Sequence, residues 1–436
     1  MERDTFKQLE DWKQNKNKKP LIIQGARQVG KTWLMLEFGK RAYEKTAYFN
    51  FETNYDLQSL FKQGLNIENI LSGLAIIAGF QIKNKNTLIV FDEIQACPEA
   101  ISSLKYFNEQ APELEILAAG SLLGVAIHKG ISFPVGKVDF LTLYPLNFHE
   151  FLNATGQEQL LELLKTKNIN LISVFKQRFI DKLREFYFVG GMPEAVMEFV
   201  NTKDLIQVRK IQLNILNAYE NDFSKHAPIE QLPRIRLVWQ SIIGQLAKEN
   251  SKFIYNVLRP GARAKDFEMA IEWLKDAGLI HKVYRINNSA FPLAAYAIWS
   301  DFKIYLNDVG LLGAMGTLSP EILLRGNNLF TEFKGRISEQ FILQQMLSTG
   351  MKAFYWNPEN AMSKVDFMVQ IDNKIIPIEV KAAENVRSKS LRVYYEKYNS
   401  DQCIRTSLAD YEEQDWMKNI PLFGFLAWLE QEIIGR

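Results

Sequence analysis

Eight consecutive residues near the N-terminus have the types and spacing of a loop that holds phosphate groups. They are Gly25-Ala26-Arg27-Gln28-Val29-Gly30-Lys31-Thr32, which fit the pattern G-x-x-x-x-G-K-[ST]. Because glycine has no Cβ, its positions leave space for a tight turn and for a phosphate. In such a loop we expect the ammonium of Lys31 to bind the β- and γ-phosphates of ATP and the hydroxyl of Thr32 to ligate Mg²⁺.

The residues on either side of this loop predict the elements that must position it. Leu21-Ile22-Ile23 predicts a short buried strand, and Trp33 to Phe38 predicts the start of a helix. A strand that runs through a glycine loop into a helix directs several backbone N–H groups at one point, where the helix dipole adds partial positive charge. The alternative, a chance glycine-rich turn, does not account for a strand and a helix in this register.

A second stretch has the composition of the metal-binding half of a nucleotide site. Thr87-Leu88-Ile89-Val90-Phe91 predicts a buried strand, and Asp92 and Glu93 follow it. We expect Asp92 to lie in the Mg²⁺ shell and Glu93 to polarise or align the attacking water. We also expect this strand to neighbour the strand before the phosphate loop. The alternative for Asp92 is a capping residue at the end of its strand.

The stretch Leu117-Ala118-Ala119-Gly120-Ser121 predicts a strand that ends in a small polar residue. Its position is similar to that of the sensor residue in AAA-type ATPases, which would place the Ser121 hydroxyl at the attacking water or the γ-phosphate. The alternative is that Ser121 caps the following helix.

Composition excludes several classes of protein. The 436 residues suffice for two to four domains of about 100–200 residues each, and the net charge of +2 provides no global field for nucleic acid. Two distant cysteines, Cys97 and Cys403, are typical of a reducing cytoplasm, and the four histidines form no zinc pattern. No apolar run approaches the roughly 18 residues that span a bilayer, and the polar N-terminus is unlike a secretory signal. We therefore expect a cytoplasmic protein with no membrane partner.

The predicted fold class is α/β. Short apolar strands alternate with helical stretches over the first 150 or so residues, which predicts a parallel sheet with helices on both faces. The predicted strands are Leu21–Ile23, Ala47–Phe51, Thr87–Phe91, Glu115–Ala119 and Val138–Leu143. We divide the chain into a P-loop ATPase domain, a helical lid region, a winged-helix-like module and a small α/β nuclease-like domain, with the bounds 1–152, 153–232, 233–324 and 325–436.

The predicted third part has the element order of a winged helix-turn-helix. Two helices, Ile235 to Leu246 and Ala264 to Ala277, precede a strand from Leu279 to Ile286. Basic side chains before and at the start of the second helix suit phosphate contact and entry into the major groove of double-stranded DNA. They are Lys252, Arg259, Arg263 and Lys265. The alternative is a small packing module without a DNA contact.

The predicted C-terminal part brings acidic and basic side chains onto neighbouring elements. Glu379 and Lys381 are two residues apart on a strand and share a face, Asp366 lies on the adjoining hairpin strand, and Glu339 lies on the preceding helix. This arrangement resembles the restriction-endonuclease core, in which carboxylates hold Mg²⁺ and a lysine orients the water. The alternatives are a degenerate nuclease fold that binds without cutting, and a surface cluster of salt bridges.

Several motifs together resemble a prokaryotic AAA-type ATPase family whose members carry a C-terminal domain of unknown function. Besides the phosphate loop, they are Tyr48-Phe49-Asn50-Phe51-Glu52, Phe91-Asp92-Glu93-Ile94-Gln95, Ala119-Gly120-Ser121, Tyr144-Pro145-Leu146-Asn147-Phe148-His149-Glu150-Phe151, Tyr187 to Ala195, Lys303 to Leu312 and Ile378-Glu379-Val380-Lys381. The resemblance covers nearly the whole chain. It departs from the family at Lys137, where an arginine is usual, and a lysine lacks the planar fork of an arginine finger.

The resemblance implies a Mg²⁺-dependent ATPase, coupled to a region that binds double-stranded DNA or is nuclease-like. In it Arg27 would contact phosphate or a neighbouring acid. A protein partner and an oligomer are compatible with such a function. Two alternatives stay open, namely a nucleotide-gated binding or scaffold protein with slow hydrolysis, and an ATP-dependent DNA nuclease.

Overall fold

A computed structural model describes most of the chain. The described residues are 1–82, 86–120, 134–248, 252–321, 331–358, 363–384 and 387–434. The chain divides into a first unit, made of Glu2–Tyr144 with Asp276–Leu279, and a second unit, made of Pro145–Lys275 and Ile280–Arg436 together with Met1.

The first unit contains a parallel sheet, as the alternation of strands and helices predicts. Its strands are β1 (Leu21–Gln24), β2 (Lys45–Asn50), β3 (Thr87–Asp92), β4 (Glu115–Ala119) and β5 (Asp139–Thr142). They lie in the order β2-β3-β4-β1-β5, and every neighbouring pair is parallel. The sheet places the carboxyl ends of β1 and β3 at one edge, where parallel α/β sheets bind ligands.

Helices connect these strands and cover the sheet. They are α1 (Thr5–Gln14), α2 (Lys31–Ala42), α3 (Tyr55–Lys62), α4 (Ile67–Ala78) and α5 (Pro98–Gln110). Phe91 of β3 lies in the centre of an aromatic cluster with Phe51, Phe61 and Phe107, all of them almost fully buried. This packing fixes the end of β3, on which Asp92 lies.

The expectation that β3 is the neighbour of β1 is wrong. β4 lies between them and pairs with both strands. The order of strands in a sheet is a long-range property, and two motifs that share a ligand do not need adjacent strands. β1 and β3 lie two inter-strand spacings apart, about 10 Å, and the residues that follow them meet beyond the end of β4.

The second unit begins with helices and continues with a mixture of helices and strands. Its helices are α6 (Phe148–Ala154), α7 (Glu158–Lys165), α8 (Ile169–Val174), α9 (Lys176–Val189), α10 (Pro193–Thr202), α11 (Leu205–His226), α12 (Leu232–Ala247), α13 (Ala264–Asp276), α14 (Val309–Met315), α15 (Thr331–Ser348), α16 (Lys389–Tyr398) and α17 (Phe425–Ile434).

One mixed sheet of eight strands runs through the second unit. Its strands are β6 (Ile280–Ile286), β7 (Ala297–Leu306), β8 (Ala353–Trp356), β9 (Val365–Ile371), β10 (Lys374–Val380), β11 (Cys403–Ser407), β12 (Glu412–Glu413) and β13 (Met417–Pro421). The order is β12-β13-β11-β10-β9-β8-β6-β7. The chain is therefore an α/β protein with an N-terminal parallel sheet and a second, mixed sheet.

The second sheet joins strands from two of the predicted parts. The helices and strand predicted for 233–324 are present as α12, α13 and β6, but β6 also pairs in parallel with β8 of the part predicted as 325–436. The β6–β7 hairpin thus belongs to the same sheet as the C-terminal strands. The division into four parts stays a prediction.

A buried carboxylate, Asp308, connects three separate stretches of the second unit. Its Oδ2 accepts hydrogen bonds from the backbone N–H of Gly191 (2.6 Å) and the amide of Gln344 (3.1 Å), and its Oδ1 accepts one from the N–H of Leu311 (2.9 Å). The Gln344 amide also donates to the carbonyl of Leu146. These bonds hold the stretches around Leu146, Gly191 and Leu311 together on α15.

Close backbone packing explains the glycines of this network. A Cβ on Gly191 would lie 2.2 Å from the carbonyl oxygen of Leu146, and one on Gly310 would lie 2.6 Å from that of Val189. Both contacts are with backbone, which cannot move aside as a flexible side chain does. Gly191 and Gly310 in the Tyr187–Ala195 and Lys303–Leu312 motifs therefore have a structural role, since they allow this close packing.

None of the helices in the described ranges combines the length and apolarity that a transmembrane segment needs. Cys97 and Cys403 are both buried as free thiols.

We expect Asp308→Ala to lower the free energy of unfolding of the second unit by about 3 kcal/mol, because it leaves several buried donors without an acceptor. Urea denaturation followed by circular dichroism measures this. Asp204→Ala is the matched control, since Asp204 caps α11 near the surface by accepting from the N–H groups of Ile206 and Gln207. Loss of that cap should cost about 1 kcal/mol. Equal losses in the two variants would contradict a central role of Asp308.

Candidate nucleotide site and C-terminal charge cluster

The phosphate loop has the backbone conformation that its glycines predict. Gly25 has a φ of +144° and Gly30 one of +96°, while Gln28 between them has +68°. A Cβ on Gly25 would lie 2.2 Å from the carbonyl oxygen of Leu143, so that only glycine fits there. The loop joins the end of β1 to the first residue of α2, Lys31.

Arg3, which the sequence did not single out, supports this loop. Its guanidinium donates to the carbonyl of Val29 (3.2 Å) and to that of Tyr144 (2.6 Å), and the residue is 5% exposed. A planar guanidinium that bridges two carbonyls restrains the position of the loop relative to Tyr144.

Lys31 lies folded over its own loop. Its ammonium donates to the carbonyls of Gly25 (2.9 Å) and Ala26 (2.8 Å). Burial lowers the pKa of Lys31 to about 8, although the nearby carboxylates of Glu93 and Asp92 oppose the change. A phosphate carries a full negative charge, so its hydrogen bond to the ammonium is stronger than those of the two neutral carbonyls. We therefore expect the ammonium to leave the carbonyls for a phosphate when nucleotide binds.

Thr32 and Asp92 meet although sixty residues separate them in the chain. The Thr32 hydroxyl donates to Oδ2 of Asp92 at 2.7 Å, and the backbone N–H of Glu93 donates to Oδ1 at 3.0 Å. Asp92 is only 3% exposed. A hydroxyl and a carboxylate side by side are oxygen ligands of the kind that Mg²⁺ prefers, so this pair fits a magnesium ion.

A tyrosine and an asparagine on β2 extend this contact. The Tyr48 hydroxyl donates to the same Oδ2 of Asp92 at 2.9 Å, and the amide of Asn50 donates to the Tyr48 oxygen at 3.3 Å. Both side chains alternate with the buried Ala47 and Phe49, as strand geometry requires. Tyr48 therefore helps to hold the orientation of Asp92.

Glu93 is held in a conformation that a residue other than glycine rarely adopts. Its φ of +49° lies in the left-handed region, directly after the end of β3. The Gln95 amide donates to its Oε2 at 2.5 Å. Strained residues of this kind are common at functional sites, where the surrounding structure stabilises them.

Two further predicted positions have different outcomes. Ser121, the predicted sensor residue, lies outside the described residues. Lys137, at the place of the family arginine, forms an ion pair with Glu109 within the first unit, with Nζ 2.9 Å from Oε1.

The three carboxylates among the predicted C-terminal side chains are buried, while the Lys381 side chain is 34% exposed. Glu339, Asp366 and Glu379 are 5%, 4% and 2% exposed. The alternative of a surface cluster of salt bridges is therefore wrong for the carboxylates. The Lys381 ammonium lies 3.0 Å from Oε1 of Glu379, and the backbone N–H of Val380 donates to Oδ2 of Asp366 at 3.0 Å.

The electrostatics show that these groups act on one another. Burial raises the pKa of Asp366, and the charge of Glu339 raises it further. Burial also raises the pKa of Glu379, with a smaller opposing effect of Lys381. Within the described ranges, no three carboxylate, imidazole or thiol groups converge as ligands of one metal ion.

The basic residues of the predicted DNA-binding part are in part engaged within the fold. Lys252 pairs with Asp301 at 2.9 Å, and the guanidinium of Arg259 lies 5.6 Å from the centre of the Phe267 ring. Contact with DNA through Lys252, Arg259, Arg263 and Lys265 stays a prediction.

Three family models match successive parts of the chain. Residues 17–152 match an AAA domain, residues 180–322 match a domain of unknown function, DUF8612, and residues 334–424 match another, DUF4143. The first unit is thus an AAA-type P-loop domain. No curated protein matches the chain in sequence.

Several solved structures resemble the chain only weakly. The Orc1 protein of Aeropyrum pernix in complex with DNA has a TM-score of 0.25 at 12% identity, over 72% of this chain and 91% of its own. The RuvB Holliday junction branch migration motor of Thermotoga maritima has 0.28 at 14%, over 65% and 90%. Cdc6p of Pyrobaculum aerophilum has 0.26 at 10%, over 73% and 94%. With scores this low, the similarity supports no inference about function.

We expect the affinity for ATP to fall as the pH rises above about 8. Lys31 has a pKa of about 8 in the free protein, and bound phosphates favour the ammonium. Binding is therefore strongest below that pH and weakens by up to about tenfold per pH unit above it. Calorimetric titration with ATP in the absence of metal, between about pH 7 and 9.5, measures the change.

Lys40 at the exposed end of α2 is the control for this titration, and Lys40→Met should keep the wild-type pH profile. A constant affinity of the wild type over that range would contradict the assignment of Lys31 as the titrating group.

Proposed function

We propose that this protein binds ATP with Mg²⁺ and hydrolyses it, and that the cycle controls a region in the second unit that binds double-stranded DNA or a protein partner. The observation that carries the proposal is the contact of Thr32 with Asp92, made next to a phosphate loop in which Lys31 is buried. An AAA domain match over residues 17–152 supports it.

Lys31 and the N-terminal turn of α2 bind the phosphates. The first N–H groups of a helix have no partner inside it and, together with the helix dipole, favour a negative charge at this end. The Lys31 ammonium, released from the carbonyls of Gly25 and Ala26, neutralises charge that develops between the β- and γ-phosphates.

Thr32 and Asp92 would hold the magnesium ion. When bound there, the ion would supply positive charge that offsets the negative charge of the phosphates. The two side chains already lie together, and the Thr32 hydroxyl can keep its hydrogen bond to Asp92 while it presents a lone pair to the ion. Tyr48 retains its contact with Asp92 and keeps the carboxylate in place.

Glu93 is the residue that orients the attacking water. Its carboxylate accepts a hydrogen bond from that water and favours attack in line with the γ-phosphate. The Gln95 amide donates a hydrogen bond to Oε2 at 2.5 Å and fixes the direction of the side chain.

A second candidate function is a nucleotide-gated binding protein with slow hydrolysis. The contact that favours it is the same bond from Gln95, because a carboxylate already engaged at 2.5 Å is a weaker proton acceptor. ATP would then act by shifting the population of two conformations. The rate of phosphate release by the wild type decides between the candidates.

We expect Glu93→Gln to keep its affinity for ATP and to lower the rate of phosphate release by about 100-fold or more, because the amide cannot accept a proton from water. Lys31→Ala should abolish binding itself. Calorimetry with ATP and a phosphate-release assay separate these effects. An unchanged ATP affinity in Lys31→Ala would overturn the site assignment, and an unchanged rate in Glu93→Gln would overturn the role of Glu93.

We expect Tyr48→Phe to raise the Mg²⁺ concentration for half-maximal hydrolysis by about tenfold, as is usual when a side chain that orients a metal ligand loses its hydrogen bond. Tyr48 is 38% exposed, so that loss of its hydroxyl leaves the fold intact. Tyr55→Phe is the control, because Tyr55 is 79% exposed at the start of α3. Equal metal dependence of the two variants would contradict a positioning role of Tyr48.

A further inference from the structure

Lys303, which was part of a family motif but not a predicted site residue, lies inside the C-terminal cluster of carboxylates. Lys303, on β7, is 1% exposed, and its ammonium makes no hydrogen bond with any described residue. The nitrogen lies 3.6 Å from Oε2 of Glu339 and 4.9 Å from the centre of the Tyr355 ring. An ammonium in such a place requires strong compensation by negative charge.

Glu339 is already saturated by groups of the chain itself. Besides Lys303, its Oε1 lies 2.7 Å from the guanidinium of Arg336, and its Oε2 accepts a hydrogen bond from the Tyr305 hydroxyl at 3.0 Å. Burial opposes its ionisation, yet the charges of Lys303, Arg336 and Lys364 hold the pKa of Glu339 well below its usual range. This carboxylate is therefore ionised, and both of its oxygens already have partners in the chain.

The Lys303 charge reaches the second carboxylate of the cluster as well. Burial lowers the pKa of Lys303, while the charges of Glu339 and Asp366 raise it. The remaining contacts of Asp366 are the N–H of Val380 and the ammonium of Lys364, which lies 3.9 Å from Oδ1. Lys303 thus lies where it can neutralise the two carboxylates that the nuclease interpretation assigns to a metal.

The charge balance of the cluster differs from that of a magnesium site. Among the described residues, three carboxylates face four cationic side chains, namely Lys303, Arg336, Lys364 and Lys381. Carboxylates that hold a divalent cation keep negative charge available for it. A divalent cation would here add two positive charges to carboxylates that the lysines and the arginine of the cluster already neutralise.

We propose that the ammonium of Lys303 occupies the place of a divalent cation between Glu339 and Asp366, so that the nuclease-like core is held together without metal. The C-terminal region then binds its partner without metal-dependent cleavage of phosphodiester bonds at this cluster. Among the alternatives for this region, this favours a degenerate nuclease fold over an active one. The proposal is independent of ATP hydrolysis, which takes place in the first unit.

The test is the number of Mn²⁺ ions bound by the nucleotide-free, full-length protein, measured from the electron paramagnetic resonance signal of free Mn²⁺. Asp366→Asn should leave the wild-type number unchanged, because no ion uses Asp366. Lys303→Met keeps the length of the side chain and removes its charge. It should gain one Mn²⁺ per chain, and Lys303→Met/Asp366→Asn should lose that ion again.

A Mn²⁺ ion in the wild type that Asp366→Asn removes would overturn the proposal, and this comparison holds even if Lys303→Met does not fold. A folded Lys303→Met protein, judged by near-ultraviolet circular dichroism, that gains no ion would overturn the placement of Lys303.

A second experiment tests cleavage. Supercoiled plasmid incubated with the wild type, Mg²⁺ and ATP should stay intact. Nicking that Glu379→Ala/Lys381→Ala abolishes would overturn the absence of cleavage. Phosphate release measured alongside reports on the ATPase separately.

Discussion

A fully enclosed carboxylate needs donors on every side, and Asp308 is the residue around which the second unit meets this requirement. The donors come from the N–H groups of Gly191 and Leu311 and from the amide of Gln344. Gly191 and Gln344 are far from Asp308 in sequence, and of the three donors only Leu311 is near it. The hydrogen bonds to this one buried charge therefore connect the start of α10 at Pro193, the start of α14 at Val309 and α15, which carries Gln344.

Asp92 in the first unit accepts hydrogen bonds from a different kind of donor than Asp308 does, and this difference bears on function. The donors to Asp308 are backbone N–H groups, whose directions the main chain fixes, and a buried amide that also donates to the carbonyl of Leu146. Two of the donors to Asp92 are the hydroxyls of Thr32 and Tyr48, which rotate at little cost. One carboxylate is thus fixed permanently, while the other is held in position and still able to change partners when a ligand arrives.

The sequence allowed the nucleotide site to be predicted because its parts are contiguous. The loop from Gly25 to Thr32, the pair Asp92 and Glu93, and the strands that carry them follow from local patterns. Their spatial relation did not follow, since the position of β4 between β1 and β3 depends on long-range pairing.

The roles of three other side chains could not be predicted, although Tyr48, Gln95 and Lys303 lie in the family motifs. Their contacts with Asp92, Glu93 and Glu339 depend on how the chain folds. Lys303 did leave one further signal, a single lysine in the otherwise apolar end of β7, where burial of a charge implies a partner. In the C-terminal cluster, the carboxylates that lie together could be predicted from the sequence. The number of cationic side chains around them could not, because those side chains come from several elements.

The pairing of β6 with β8 has a consequence for how this chain can be divided. A fragment that starts near residue 325 retains β8 but leaves behind both β6 and β7, so that the backbone N–H and C=O groups of β8 lose the partners recorded at Tyr284, Arg285 and Ile286. The shorter fragment also lacks Lys303 and Tyr305, which neutralise and hydrogen-bond Glu339. An open, apolar strand edge beside an uncompensated buried carboxylate favours aggregation. The smallest fragment that retains this sheet intact therefore begins before β6, and it has to contain both the β6–β7 hairpin and the C-terminal strands.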